Sequence, residues 1–160
     1  MRSAVRAFVL GLPLLVAACT PNVDLTQGVQ ITDVSTGWYD GGIVDGKNKL
    51  IPSVTFRIRK TEAGAALRTM ALNLVFKREG TEDPFDEVFV QRVEFGPDNQ
   101  TAPITVRSQA GYTGDPPQSR AEMLQNTYFV DMLVQIYGKQ TSGQWVDLHD
   151  VKVERRLLAR

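Results

Sequence analysis

Residues 70–77 read MALNLVFK, with a large apolar side chain at every second position. Successive side chains of a β-strand point to opposite faces, so a period of two predicts a strand with one buried face. The same alternation returns in residues 54–59 (VTFRIR) and 130–137 (VDMLVQIY). Strands with one apolar and one polar face are typical of antiparallel sheets, so the fold class is expected to be all-β.

Further strands are expected along most of the remaining chain. Residues 29–34, 88–93 and 104–107 predict three shorter strands, and residues 145–157 predict a long last one. Turn residues separate these runs, at Gly41-Gly42, Asp45-Gly46, Gly80, Gly96-Pro97 and Gly138. About seven such strands predict two antiparallel sheets packed face to face, in an immunoglobulin- or fibronectin-III-like β-sandwich.

One short helix is expected to cross between the two sheets. Ser119 and Glu122 have the spacing of a capping box, in which each residue satisfies a backbone N–H of the first helical turn. Residues 119–126 therefore predict about two helical turns. We expect Met123 and Leu124 to pack inward from this crossover helix.

The last predicted strand contains a break in its alternation. Val146 and Leu148 share one face, whereas Val151 and Val153 have the opposite parity. A β-bulge near His149-Asp150 would reconcile the two halves, because it adds one unpaired residue to a strand. The alternative is a strand that is partly covered on both faces.

The N-terminal residues 1–18 have the composition of a cleavable signal peptide. Arg2 and Arg6 supply the positive charge, and residues 7–18 are almost wholly apolar. This apolar run is shorter than the roughly 20 residues that a membrane-spanning helix needs. We therefore expect residues 1–18 to be removed on export.

Residues 16–19, Val-Ala-Ala-Cys, resemble the lipobox of bacterial lipoproteins. The resemblance implies that the signal is cut before Cys19 and that the Cys19 thiol carries lipid. In that family an Asp after the Cys signals retention in the inner membrane, so Thr20 implies the outer membrane, facing the periplasm. Residues 19–28 would then be the lipidated Cys and a tether, and residues 29–160 the β-sandwich domain.

Two other interpretations of Cys19 remain open at this point. The chain could carry an ordinary secretory signal with an accidental Cys, or Cys19 could be a buried free thiol. Because the chain has 1 Cys, it cannot form an internal disulfide. A lone exposed thiol is a liability in an oxidising compartment, and lipidation would remove it.

Composition excludes several classes of partner and cofactor. Lys and Arg number 18 and Asp and Glu number 18, so no basic surface for nucleic acid is expected. His149 is the only His, which leaves zinc and copper without ligands. Residues 40–48 faintly resemble a calcium loop, but Ile43 stands where an acidic or amide ligand is needed, so a tight hairpin or irregular loop is expected. Phosphate-binding glycine motifs are missing as well, and we expect neither a metal nor a cofactor.

Two loops are the candidate binding surfaces. The first holds two large aromatic residues beside acidic turn residues, and the second holds another aromatic–acidic pair: Trp38, Tyr39, Asp40 and Asp45, then Tyr112 and Asp115. Exposed aromatic side chains could stack on a sugar ring or anchor a partner protein. Buried, they would cap the end of the core, and at least one of the first pair is expected to do so.

The sequence predicts a non-catalytic binding or assembly module of the cell envelope, whose partner is an envelope protein or a glycan. The alternative is a carboxylate-dependent hydrolase that acts on envelope material. The acids available for it are Asp40, Asp45, Asp147 and Asp150. His149 shares a strand face with Asp147, but no nucleophile motif accompanies the pair, so a surface His is the preferred interpretation.

Overall fold

The computed structural model describes residues 22–158 except Ser142. The predicted signal peptide and Cys19 therefore lie outside the described residues. Within the described part of the chain, no helix has the length and apolar character needed to cross a membrane.

The described residues form eight strands and two short helices. In chain order these are α1 (Leu25–Gly28), β1 (Val29–Val44), β2 (Lys47–Lys60), β3 (Thr69–Arg78), β4 (Pro84–Glu94), β5 (Ile104–Arg107), β6 (Tyr112–Gly114), α2 (Arg120–Gln125), β7 (Met132–Lys139) and β8 (Val146–Lys152). In the first sheet β2 pairs with β1 on one side and with β5 and β6 on the other, and the second sheet has the order β4-β3-β7-β8. All pairings are antiparallel. The predicted all-β sandwich is confirmed.

The core lies between the two sheets and consists of the inward-facing residues of the alternating strands. Fully buried apolar side chains come from β2, β3 and β7: Val54, Phe56, Ile58, Leu72, Leu74, Phe76, Val134 and Ile136. Burying one such side chain contributes about 1.5–3 kcal/mol, so this layer holds the two sheets together.

The hairpin formed by β1 and β2 is longer than the sequence predicts. β1 continues to Val44, and the two-residue turn Asp45-Gly46 has φ angles of 50° and 76°. Positive φ at both positions is typical of a type I′ turn, which matches the twist of the strands. The tight hairpin is confirmed, whereas the loop predicted around residues 37–42 is wrong, because pairing with β2 carries the strand through it.

Two register shifts interrupt the pairing of β1 with β2. One lies between Thr32 and Ser35, and the other lies between Asp40 and Ile43. Gly42 occupies the second shift with φ of 78°, and its N–H donates to the Asp40 carboxylate. These bulges explain why the local alternation fails while the strand persists.

The crossover helix forms as predicted. The Ser119 hydroxyl accepts from the Glu122 N–H, and the Glu122 carboxylate accepts from the Ser119 N–H, so both halves of the capping box are present at the start of α2. Met123 and Leu124 are 5% and 4% exposed, which confirms their inward packing.

The last predicted strand divides between the two sheets. In β8, His149 faces Ile136 and Asp147 faces Tyr137, so Leu148 is the extra residue of the expected bulge. Beyond Lys152 the chain crosses over to the outer edge of β1. There the Trp38 N–H donates to the Arg156 carbonyl at 2.8 Å, and the Leu158 N–H donates to the Trp38 carbonyl at 2.9 Å.

The segment before β1 packs on the sandwich. Leu25 is 4% exposed and belongs to the core, and the Val23 N–H donates to the Gln140 side chain at 2.8 Å. The Gly28 carbonyl accepts from the Thr61 N–H at 3.0 Å. The prediction of a tether over residues 22–28 is therefore wrong, because the apolar side chains of Val23 and Leu25 pack against the core of the sandwich. Residues 19–21 lie outside the described residues.

Candidate functional site

The sandwich has two distinct ends. The chain arrives from α1 at one end, where Val29 pairs with Lys60. The β1–β2 turn and the last residue of β3, Arg78, lie at the other end. We call this second end the far end, because β1 leads to it from the N-terminal segment.

An aromatic cluster closes the core near the far end. The Trp38 ring stacks on Tyr112 with centroids 5.3 Å apart, and Phe129 meets it edge-on at 4.8 Å. Tyr112 also makes edge contacts with Phe85 at 5.5 Å and with Phe129 at 5.1 Å. Such pairs contribute about 0.5–1.5 kcal/mol beyond their buried area, so the cluster is a rigid floor.

A groove of about 430 Å³ opens above this cluster, between β6 of the first sheet and the segment that leads into β7 of the second. We call it the end groove. Its walls contain Arg78, Tyr112, Met123, Tyr128, Phe129 and Val130. Tyr128 is 91% exposed and Val130 is 42% exposed, so apolar surface is presented to solvent at the rim. A volume in this range suits a small ligand or a few residues of a peptide.

Arg78 supplies a cation to the end groove. Its guanidinium lies 4.7 Å from the centre of the Phe85 ring and 5.9 Å from that of Tyr112. Among the described residues, none offers it a carboxylate oxygen within 4.0 Å. Arg78 thus combines an available charge with an aromatic surface.

The Tyr112 hydroxyl is shielded from solvent beside Arg78. Burial raises the pKa of Tyr112, and the nearby Arg78 guanidinium partly opposes this effect. The hydroxyl oxygen nevertheless has no partner in hydrogen-bond geometry among the described residues. Tyr112 is therefore protonated at neutral pH and keeps a donor that the described residues do not satisfy.

Arg155 holds the wall of the end groove in place. Its guanidinium donates to the carbonyls of Leu124, Asn126 and Phe129 and to the Asp131 carboxylate. One side chain thereby ties the end of α2 to the start of β7. Asp131 neutralises Arg155, so Arg155 stabilises the groove wall. Arg78 has no such carboxylate partner among the described residues, so its charge is available to a ligand.

Asp86 fixes the loop that leads into β6. Its carboxylate accepts from the Ser108 hydroxyl at 2.7 Å and from the Gln109 N–H at 2.6 Å. Burial raises the pKa of Asp86, but these hydrogen bonds and those from Ala110 and Glu87 outweigh it, and the pKa falls below its ordinary value. The ionised carboxylate thus anchors one side of the groove.

The aromatic residues predicted for the first binding loop lie within β1. Trp38 is 0% exposed, so the prediction that it belongs to a binding loop is wrong, although the expected burial of one aromatic residue is confirmed. Tyr39 faces outward from β1 and is covered by the Arg107 guanidinium, 3.5 Å from the ring centre.

The acidic candidates have structural partners or lie at turns. Asp40 pairs with Arg120 of α2 at 2.8 Å, and Asp115 pairs with Lys47 at 3.1 Å. Asp45 is exposed in the hairpin turn. Among the predicted residues, Tyr112 alone lines the end groove, with Trp38 directly behind it.

The four acids considered for hydrolysis are divided between the two sheets. Asp40 and Asp45 belong to the β1–β2 hairpin, whereas Asp147 and Asp150 lie on β8. The last two flank Tyr137, whose pKa is raised by burial and by their charges. In the described part of the chain, no three acidic, His or Cys side chains gather as a metal site would require.

Sequence reasoning missed most of the end groove, yet one signal was present. Arg78 continues the even-numbered parity of Leu72, Leu74 and Phe76. A cation on the apolar parity at a strand end is directed toward the open end of the core. Tyr128 lies before β7 in an irregular segment and gave no such signal. The alternation of residues 130–137 predicts Val130 on the apolar face of a strand, which is wrong, because β7 begins at Met132 and Val130 is 42% exposed.

Comparison with protein-family models, with curated proteins and with solved structures finds no match. The chemistry of the end groove is therefore the basis for any functional assignment. Its aromatic floor, exposed apolar rim and the Arg78 guanidinium are suited to binding an apolar group next to a negative charge.

Proposed function

We propose that this chain is a lipid-anchored, non-catalytic binding module of the bacterial cell envelope, held at the outer membrane and facing the periplasm. The resemblance of residues 16–19 to a lipobox supports the anchor at Cys19. The observation that carries the binding function is the end groove, with Arg78 over an aromatic floor.

The partner proposed for the end groove is an extended segment of an envelope protein. β6 lines the groove along its whole length and, among the described strands, pairs with β2 alone. An extended segment can lie along such an edge and place alternate side chains in neighbouring pockets. An apolar side chain of the partner would pack on Tyr112 and Phe129.

A carboxylate of the same segment would bind Arg78. A planar guanidinium can donate two parallel hydrogen bonds to a carboxylate, and hydrogen bonds to charged groups contribute about 1.5–3 kcal/mol. The aromatic surroundings strengthen this contact, because they exclude water from one side of the guanidinium. The proposed recognition element is thus an apolar residue close to an acidic residue or a terminal carboxylate.

Photocrosslinking in intact cells tests the groove assignment. A benzophenone amino acid replaces Tyr128, whose side chain is 91% exposed at the groove rim, or Tyr39, which lies on the outer face of the first sheet. We expect a discrete protein adduct from position 128 and none from position 39. Arg78→Glu should reduce the adduct about tenfold or more, since it replaces attraction with repulsion.

A matched charge reversal controls this experiment. Arg68→Glu changes an exposed Arg just before β3, toward the N-terminal end of the sandwich. It should leave the adduct from position 128 unchanged. Equal adducts from Arg78→Glu and wild type, or equal adducts from positions 128 and 39, would argue against a partner in the end groove.

Lipidation at Cys19 is tested separately. Cells are labelled with an alkyne analogue of palmitate, and the chain and its Cys19→Ser variant are compared for label and for retention in the outer-membrane fraction. We expect the wild type to carry label and remain in that fraction, and the variant to lose both. Two or three acyl chains hold firmly, since each buried methylene contributes about 0.8 kcal/mol. An unlabelled wild type would overturn the anchor.

A further inference from the structure

The outer face of the second sheet carries two exposed aromatic rings. Trp145 is 40% exposed and Phe89 is 58% exposed, with ring centroids 6.1 Å apart. The chain has 2 Trp residues, and the other, Trp38, is fully buried. The exposed tryptophan is thus Trp145 on a sheet face, and not Trp38, for which a binding loop was predicted.

Trp145 stands between two depressions in this face. One, of about 360 Å³, is lined by Thr69, Gln91, Arg92, Lys139 and Thr141 together with Trp145. The other, of about 330 Å³, is lined by Lys77, Glu82, Glu87 and Tyr137 together with Trp145. An aromatic ring flanked by two polar depressions provides three adjacent contact areas.

The two depressions differ in the charged side chains that line them, because the one near Tyr137 contains Lys77, Glu82 and Glu87. The one near Lys139 contains two cations and no acid among its described lining residues. Arg92 is paired with Glu94 at 2.8 Å, whereas Lys139 has no carboxylate within 4.0 Å among the described residues. The Lys139 ammonium instead lies 5.6 Å from the centre of the Trp145 ring. An anionic group bound here would meet a cation directly beside the aromatic surface.

We propose that this face is a second binding site and that its ligand is an acidic oligosaccharide. One sugar ring would lie against Trp145 and Phe89, because aromatic faces attract the positively polarised C–H edges of a ring. The carboxylate of the sugar would bind Lys139, and its hydroxyls would bond Gln91, Thr69 and Thr141. Charge complementarity at Lys139 distinguishes an acidic sugar from a neutral one.

This site is independent of the end groove. Lys139 and Trp145 lie near the N-terminal end of the sandwich, because Lys139 pairs with Ala71 at the start of β3. Arg78, at the other end of β3, pairs with Met132. The two surfaces can therefore be occupied together, and failure of one assignment leaves the other intact.

Tryptophan fluorescence of the purified full-length chain tests the proposal. The probes are a tetramer of a uronic acid and a neutral glucose tetramer of similar length, both at low ionic strength. Iodide quenches exposed tryptophan, so the accessible signal is that of Trp145 while Trp38 is shielded. We expect the uronic acid tetramer to protect Trp145 from iodide and the neutral tetramer to do so only at concentrations about tenfold higher.

Two variants and one control separate stacking from charge. Trp145→Ala, measured by calorimetry, should weaken uronate binding about tenfold or more. Lys139→Gln should weaken uronate binding about three- to tenfold and leave the neutral tetramer unaffected. Lys47→Gln, which removes a cation from the β1–β2 hairpin, should change neither. The emission of Trp38 and the urea midpoint show whether each variant is folded.

Specific outcomes would overturn the proposal. If the uronic acid tetramer at high concentration left Trp145 unprotected from iodide, a glycan would be excluded as the ligand of this face. A benzophenone amino acid in place of Phe89 would then test for a protein at this face in intact cells. Equal binding of the acidic and neutral tetramers, or an unchanged uronate affinity in Lys139→Gln, would refute the charge-based recognition.

Discussion

Asp131 shows how a single carboxylate can stabilise one end of the sandwich. Its side chain is 16% exposed and contacts Arg155 at 2.5 Å and Lys152 at 2.8 Å. The hydrogen bond from Arg155 lowers the pKa of Asp131, burial opposes this, and Lys152 lowers it further. Because the pKa is lower in the folded chain, the ionised carboxylate adds stability above its unfolded pKa, which is lost as the pH falls through the folded value.

The substitution Asp131→Asn tests this contribution. At pH 7 we expect the free energy of unfolding to fall by about 1–3 kcal/mol, because Arg155 and Lys152 lose a shared anion. The difference from wild type should shrink below about pH 4, where the unfolded carboxylate is protonated. Urea unfolding followed by circular dichroism at several pH values measures both effects.

A surface pair provides the control for Asp131→Asn. Asp115 pairs with Lys47, but its side chain is 77% exposed, so solvent screens the interaction. Asp115→Asn should change stability by no more than about 1 kcal/mol at any pH. If the two substitutions had equal effects, partial burial of Asp131 would not be the reason for its importance.

At the scale of elements, α1 is joined to the sandwich through two glycines. A Cβ atom built on Gly64 would overlap the carbonyl oxygen of Gly28, and one built on Gly28 would lie 2.7 Å from a methyl of Val23. Gly28 of the segment before β1 and Gly64 of the turn at residues 61–67 therefore meet backbone to backbone, with no space for a side chain on either glycine. This close approach explains why residues 22–28 belong to the folded domain.

Gly64→Ala should displace this segment. We expect a loss of about 1–3 kcal/mol, because backbone atoms must move to accept the added methyl. Limited proteolysis should cleave the chain faster between residues 22 and 28. Ala65→Ser, an exposed change in the same turn, is the matched control. Unchanged cleavage in Gly64→Ala would mean that the segment does not depend on this contact.

The elements that could be predicted from sequence are those whose own alternation or capping determines them. β7 alternates strictly, β3 alternates apart from the buried Val75, and α2 carries a complete capping box. The second half of β1 and the three residues of β6 could not be predicted, because their strand character comes from pairing with β2. Strand pairing across many residues leaves little trace in the local pattern.

The same distinction applies to the proposed binding surfaces. Trp38 and Tyr112 were recognisable as unusual aromatic residues, but their mutual stacking depends on two distant strands meeting at Leu50. Arg78 was predictable from its parity on β3. Trp145 was predictable in the same way, since it takes the face opposite to Val146. The odd or even position of a residue along its strand therefore predicts whether its side chain faces the core or the solvent. The composition of the predicted loops was a poorer guide to the residues of the proposed binding surfaces.

At the scale of the whole molecule, the C-terminal segment links the two sheets at one edge. β8 belongs to the second sheet, while residues 156–158 pair with Trp38 in the first. The Arg156 guanidinium also donates to the Thr36 carbonyl at 2.8 Å and to the Ser35 hydroxyl at 2.7 Å. These contacts cover an edge of β1 that would otherwise present unpaired backbone groups.

A chain ended after Arg155 tests this link. We expect a loss of roughly 2–4 kcal/mol from the four removed hydrogen bonds that join this segment to β1, and concentration-dependent association through the uncovered β1 edge. Arg156→Ala keeps the backbone pairing, so it should lose less stability and remain monomeric. Urea unfolding and size-exclusion chromatography measure these effects; a monomeric truncated chain of native stability would contradict the prediction.

The length of the β1–β2 hairpin also determines how far the end groove lies from the N-terminal end of the sandwich. Leu50 pairs with Asp40 and with Tyr112, so the floor of the end groove lies eleven residues along β1 from Val29. At about 3.3 Å per residue this is roughly 35 Å. A domain anchored through the segment before Val29 would hold its groove well above a layer of lipid headgroups only about 5–8 Å thick. With the anchor and the partner proposed above, the hairpin would separate the membrane from the ligand, and partner affinity at the end groove should be independent of lipid composition.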